Sequence, residues 1–123
     1  MFVIVVTAGV WAADEPKPIT PEEAAKQIDK DCLVEMKVKA VGMSKASSIY
    51  FLNSESDFRS EKNFTVMLGK TAVEKLKKAG VEDPKAHYQD KTIQVQGKVK
   101  LYQGKPEIVV DDPEKQLKIV EKK

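Results

Sequence analysis

Polar and apolar positions alternate along most of this chain. In Cys32–Val41, Cys32, Val34, Met36, Val38 and Ala40 fall on one face, and Leu33, Glu35, Lys37 and Lys39 on the other. A period of two over such a stretch predicts a half-buried strand. Ser48–Leu52, with Ile49, Tyr50 and Phe51, reads as a short second strand. Asn63–Leu68 reads as a third, with Phe64, Val66 and Leu68 on one face. The clearest alternation is Thr92–Tyr102. Ile93, Val95, Gly97, Val99 and Leu101 are expected inward, and Thr92, Gln94, Gln96, Lys98, Lys100 and Tyr102 outward. Gln103-Gly104 predicts a tight turn into a return strand, Glu107–Asp111, with Ile108 and Val110 inward. Leu117 and Ile119 mark a last short strand.

Two segments read as helices. Thr20-Pro21-Glu22-Glu23 has a capping threonine, proline at the first helical position and glutamate three residues after the cap, which predicts a short helix to Lys30. Thr71-Ala72-Val73-Glu74 repeats the capping pattern before an apolar stripe of Ala72, Val73, Leu76 and Ala79. Gly80 follows where a helix end favours a left-handed residue. Gly42–Ser47, Asn53–Lys62 and Glu82–Gln89 read as connectors. The order is three strands, a helix, two long strands and a short one. That order predicts an OB-fold: a mainly β, five-stranded Greek-key barrel with one helix between the third and fourth strands, and a short N-terminal helix besides. Gly97 in mid-strand fits the sharp bend that closes small barrels. A five-stranded open sheet capped by the helix is the alternative.

The chain has 123 residues, 41% of them hydrophobic and 33% charged. This is the size of one domain and too apolar for a wholly disordered chain. Met1–Ala13 has no charged residue, and its apolar stretch through Val10 has the length of a signal-peptide core. The basic residues that usually precede such a core are missing; an N-terminal buried strand is the other reading. Residues 1–13 are therefore expected to be a signal peptide cut after Ala12 or Ala13. Residues 14–31 would form a linker and the short helix, and 32–121 the barrel. The mature protein is expected to be secreted or periplasmic, with no membrane span once the leader is removed. The single cysteine, Cys32, excludes an internal disulfide and any multi-cysteine metal site, and the single histidine, His87, excludes a two-histidine centre. No cofactor or metal is expected.

One stretch carries a family resemblance. Lys91-Thr92-Ile93-Gln94-Val95-Gln96-Gly97-Lys98-Val99, then Tyr102-Gln103-Gly104-Lys105-Pro106-Glu107-Ile108-Val109-Val110 and Pro113, resembles the closing half of anticodon-binding-type OB domains. Those have a V-x-G-x-V strand, a short turn and a strand ending at a proline. Cys32–Ala40, Tyr50-Phe51-Leu52-Asn53 and Asn63-Phe64-Thr65-Val66 resemble secreted bacterial members that carry such a domain behind a signal peptide. The resemblance spans about Cys32–Val120, and its motifs are mainly structural. It implies the fold far more than the ligand.

OB-folds bind extended nucleic acids or sugars across the second and third strands, between two framing loops. Bases stack on aromatic rings, and lysine or arginine meets the backbone. The expected stacking residues are Tyr50, Phe58 and Tyr102. The expected phosphate contacts are Arg59, Lys62, Lys98, Lys100 and Lys105, with Lys45 in the other framing loop. Lys62–Lys105 holds ten lysines against four acids, whereas Met1–Glu35 holds three lysines against seven acids. A basic half with interleaved tyrosines fits a weak, sequence-tolerant binder of single-stranded nucleic acid or another polyanion. The competing reading is that outward lysines keep sheet edges soluble. An envelope protein or glycan is the alternative partner, and small periplasmic OB-fold stress proteins are similar in architecture.

An enzyme is not expected. A nuclease would need paired carboxylates for a cation and more arginine than Arg59 alone. Asp111, Asp112 and Glu114 flank Pro113 and read as a strand-ending turn. Gly69-Lys70-Thr71 lacks the earlier glycine of a phosphate-binding loop, since Phe64 stands there. Asn63-Phe64-Thr65 matches a glycosylation sequon but opens a predicted strand.

Overall fold

The computed structural model describes residues 17–44 and 48–120. The expected leader and the framing-loop residue Lys45 lie outside the described residues. The elements, in chain order, are α1 (Pro21–Ala24), β1 (Asp31–Lys37), β2 (Ala40–Ser44), β3 (Ile49–Asn53), β4 (Thr65–Leu68), α2 (Lys70–Lys78), α3 (Pro84–Tyr88), β5 (Thr92–Lys98), β6 (Lys100–Tyr102), β7 (Lys105–Val110), α4 (Pro113–Gln116) and β8 (Leu117–Val120). They form two sheets, a three-stranded one ordered β1-β5-β8 and a five-stranded one ordered β2-β3-β4-β7-β6. The pairing between β4 and β7 is parallel, whereas the other ladders are antiparallel.

The two long alternating stretches each break once, where the chain passes from one sheet to the other. Between β1 and β2, the Val38 N–H donates to the Lys91 carbonyl and the Lys39 N–H to the Asn53 carbonyl, so the partner changes within two residues. Between β5 and β6, Val99 leaves the ladder and exchanges backbone hydrogen bonds with Asp29 and Lys30. The expected continuous strands Cys32–Val41 and Thr92–Tyr102 are thus bent. Their alternation nevertheless survives, because Val34, Met36, Val38, Ile93, Val95 and Val99 are all buried. Two places depart from it: past the bend at Lys39, Val41 is buried and Ala40 only half-buried, and Leu101 turns out to solvent. It keeps the inward parity but lies 58% exposed, because the β6–β7 hairpin runs past the end of the core.

The core joins these residues to Leu52, Phe64, Val66, Leu68, Ile108 and Val110. Helix α2 adds Ala72, Val73 and Leu76. It begins two residues earlier than expected, with Gly69 at the cap and no side-chain hydrogen bond there, so the Thr71–Glu74 capping box does not form. Lys75, Lys77 and Lys78 sit in its last turn, where positive charge suits the negative end of the helix dipole. Gly80 takes φ 98°, the left-handed position expected of it. Helix α1 has the predicted capping box at Thr20 and Glu23 but ends at Ala24. Shorter-range turns replace it through Lys30, and Asp29 adopts φ 70°.

Short helices α3 and α4 form where connectors were expected. In α4, Gln116 acts as a staple. Its Oε1 accepts from the Asp111 and Asp112 N–H groups, and its Nε2 donates to the Gln96 and Val109 carbonyls, tying the two sheets together. Gly97 lies beside this staple. A Cβ there would stand 2.7 Å from Ile108 Cγ2, so the glycine permits a close approach between β5 and β7. Gln103 and Gly104 both adopt left-handed φ, 51° and 80°, the geometry of a two-residue hairpin turn.

Candidate functional site

Register decides which outward side chains meet. Asn53 on β3 stands opposite Thr65 on β4, Thr65 opposite Glu107 on β7, and Glu107 opposite Lys100 on β6. This polar row crosses the outer face of the five-stranded sheet. Beside it, Gly42 stands opposite Phe51, and Phe51 opposite Met67. Over these rows lies an open groove of about 530 Å³, lined by Gly42, Phe51, Asn53, Thr65 and Glu107 below and by Phe58, Arg59, Tyr102 and Lys105 at the sides.

The side walls come from two irregular segments. Residues 54–64 form a loop folded on itself. The Asp57 carboxylate accepts from the Arg59 N–H at 2.9 Å and from its Nε at 3.1 Å. These bonds hold the Asp57 carboxyl below its ordinary range, and they engage the Arg59 guanidinium within the loop. The loop base is pinned by Asn63, whose side chain is buried. Its Nδ2 donates to Asn53 Oδ1, Thr65 Oγ1 and the Phe58 carbonyl, and its Oδ1 accepts from the Glu55 N–H. The sequon asparagine is therefore an internal hydrogen-bonding hub. Phe58 is left 64% exposed, and Tyr102, on the hairpin opposite, 59% exposed.

Electrostatics of the floor differ from what the lysine count implied. Glu107 is only 9% exposed. Burial pushes its carboxyl up from the usual range, and the charge of Lys100 partly offsets this. The ion pairs among the described residues are Arg59–Asp57 and Lys75–Asp112, so Glu107 faces the groove without one. Lys105 Nζ donates to the Arg59 and Ser60 carbonyls at 2.6 and 3.0 Å. The groove thus has aromatic walls, an acidic spot in its floor, and two side cations already engaged. Among the described residues no cluster of His, Cys, Asp and Glu is arranged to hold a metal ion, and no helix is long and apolar enough to cross a membrane.

Of the residues expected to form a site, the structure brings together Phe58, Arg59, Tyr102 and Lys105, with Lys100 across the strand from Glu107. Tyr50 is turned away. It shares the face of Leu52 and packs against the core, while its neighbour Phe51 takes the groove position. Lys98 stands at the end of β5 opposite Asp31, in the three-stranded sheet. Lys62 lines a separate, smaller depression with Glu22, Glu35, Lys37 and Glu55. Phe51, Asn53, Thr65, Glu107 and Gly42 had not been expected at the site. Only strand parity could have exposed Phe51, and Ile49-Tyr50-Phe51-Leu52 is apolar throughout, so it carries no alternation.

Neither a described protein family nor a curated protein matches the sequence. The fold, however, is similar to solved structures. Asparaginyl-tRNA synthetase from Pyrococcus horikoshii matches with TM-score 0.56 at 17% identity, over 85% of this chain and 23% of that one. Aspartyl-tRNA synthetase from Entamoeba histolytica matches with TM-score 0.53 at 14% identity, over 84% of this chain and 21% of that one. OBody AM1L10 bound to hen egg-white lysozyme matches with TM-score 0.57 at 16% identity, over 88% of this chain and 98% of that one. The chain spans less than a quarter of either synthetase. At these identities the likeness is one of fold: a mainly β domain in two sheets, with OB-type neighbours.

Proposed function

We propose that this protein is an exported, non-enzymatic OB-type module that binds single-stranded nucleic acid weakly, bases inward, in the groove of the five-stranded sheet. The observation that carries the proposal is the placing of three aromatic side chains, Phe51, Phe58 and Tyr102, around one open groove. Aromatic platforms accept any base, because every base has a π-face. Glu107 in the floor suits an inward base as well, since a carboxylate accepts hydrogen bonds from an exocyclic amino group such as that of cytosine and repels phosphate. Phosphates would stay outside, near Lys100. With Arg59 and Lys105 engaged internally, few cations remain for them, which keeps the affinity modest.

The pairing pattern supports a five-stranded Greek-key barrel as the frame. Joining β1 to β2 across Val38-Lys39, and β5 to β6 across Val99, gives one cycle: β1/β2, β3, β4, β7, β5/β6 and back to β1. Helix α2 then falls between the third and fourth of these strands. The synthetase neighbours add weak support for a nucleic-acid ligand.

Titration of fluorescent oligo-dT and oligo-dC at low ionic strength tests the function. Saturable binding that weakens with added salt is the expected result. No saturable binding to either ends the reading. The second reading, an envelope protein or glycan partner, would then be the one to test; it is favoured by the scatter of Tyr50, Lys62 and Lys98 away from the groove, and the OBody neighbour is described as bound to a protein. Export rests on the uncharged Met1–Ala13 stretch. An intact-mass measurement on protein from the native host, showing a chain that starts at Ala13 or Asp14, is the expected outcome.

A further inference from the structure

The two walls of the groove come from segments far apart in the chain, and one side chain joins them. The loop tip, residues 57–62, is held mainly by bonds within its own loop: Arg59 N–H to Asp57 Oδ1, Ser60 N–H to the Asp57 carbonyl, Lys62 N–H to Ser60 Oγ, Asn63 N–H to the Ser60 carbonyl and Asn63 Nδ2 to the Phe58 carbonyl. Among the described residues, the tip's hydrogen bonds to the rest of the protein are those donated by Lys105. That ammonium reaches from the first residue of β7 to two adjacent carbonyls, next to Phe58. The Asp57 carboxylate stands near enough for the Lys105 charge to help lower its pKa.

We infer that Lys105 is a positioning residue, a strap that fixes the Phe58-Arg59 wall against the Tyr102 hairpin and so sets the width of the groove. A phosphate contact is the ordinary assignment for a lysine at this place. The geometry favours a strap, because two of the ammonium's three protons already go to adjacent carbonyl oxygens, which fixes the side chain along the loop and leaves one proton for any phosphate. The aromatic ring at Phe58, mostly solvent-exposed, has little packing of its own to hold it. Without the strap, the tip would be tethered only through Asn63 and Ser54 at its base. The consequence for binding rests on the groove reading above; the strap itself does not.

The test uses the full-length protein and the variants Lys105→Met and Lys105→Arg. Methionine keeps most of the stem and removes the donors; arginine retains donors able to bridge two carbonyls. The first readout is tryptic cleavage of the Arg59–Ser60 and Lys62–Asn63 bonds, followed by mass spectrometry. Cleavage of a local loop follows its open population. Roughly tenfold faster cleavage at these bonds is expected for the methionine variant, given the loss of two charge-assisted hydrogen bonds. The thermal midpoint should barely move, and arginine should restore most of the protection. The second readout is oligo-dT affinity against salt. A strap predicts weaker binding with an unchanged slope of log K on log salt, whereas a lost phosphate contact lowers that slope by about 0.7. Wild-type cleavage rates in the methionine variant would overturn the proposal. So would a reduced salt slope with unchanged cleavage, which would make Lys105 a phosphate ligand. If the wild type binds no oligonucleotide, the groove reading fails while the cleavage data still decide the strap.

Discussion

The outer faces of the two sheets follow the same alternation and carry different chemistry. On the three-stranded sheet, Glu35 stands opposite Gln94, Leu33 opposite Gln96 and Lys37 opposite Thr92. Gln94 Nε2 donates to Glu35 Oε1 at 2.9 Å, so these two polar side chains satisfy one another across the strands. On the five-stranded sheet, Phe51, Phe58 and Tyr102 border a groove, and Glu107 lies nearly buried with no ion pair among the described residues. The Gln94–Glu35 pair already meets its own polar needs. An aromatic groove over a nearly buried carboxylate gains by covering its apolar area and by supplying donors to that acid. On the proposed reading, this difference makes one face the scaffold and the other the site.

Removing the rings should separate the two faces most strongly. Phe51→Ala, Phe58→Ala and Tyr102→Ala are each expected to weaken oligonucleotide binding by about 1–3 kcal/mol, roughly 5- to 150-fold. Gln94→Ala, on the other face, should leave affinity within twofold. Equal losses from both sets, measured by fluorescence titration, would erase the distinction.

Gly97→Ala should act through the frame. Its methyl group would collide with buried Ile108 beside the Gln116 staple, so about 1–3 kcal/mol of stability is expected to be lost in denaturant melts. Gly42→Val is the converse case. A Cβ there meets nothing within 4 Å, so the fold should tolerate it while the side chain intrudes beside Phe51. Binding should fall several-fold with an unchanged melting curve. A collapse of stability instead would show that the groove floor is less open than described.

Glu107→Gln should give a smaller, pH-dependent effect. Burial raises the folded-state pKa above the unfolded value of about 4.3, so the folded protein holds the proton more tightly. The contribution of Glu107 to stability is therefore full below that unfolded pKa and declines as pH rises through the folded one. The variant should melt higher than wild type at pH 7 and show little advantage at pH 4. The reverse order would mean that Glu107 is paired in the groove. The weakest expected effect is that of Lys98→Ala, in the three-stranded sheet, which should leave the salt slope of binding unchanged. Lys100→Ala should lower that slope by about 0.7 if a single phosphate sits beside it.

Strand faces were legible along most of the alternating stretches, up to the bends at Lys39 and Val99. Ile93, Val95, Val99, Ile108 and Val110 are buried as their parity required. The same rule had no purchase on Ile49–Leu52, where four apolar side chains follow one another, and there Tyr50 and Phe51 exchanged roles. The loop tip carrying Phe58 and Arg59 was recognisable as polar and long. Its attachment to Lys105 was not, because nothing local to either segment specifies the other. The count of lysines overstated the basic character of the site. It could not show that Lys98 and Lys62 lie elsewhere, or that Arg59 and Lys105 are engaged with their own chain.

The amino-acid order by itself determined the inward faces of most alternating positions, the apolar stripe of α2 and the tight turn at Gln103-Gly104, because period and left-handed turn residues are local properties. Tertiary structure decided which outward residues share a groove. A period of two fixes the face of a strand but not its register, and the row Asn53–Thr65–Glu107–Lys100 exists only because β3, β4, β7 and β6 pair across long stretches of chain.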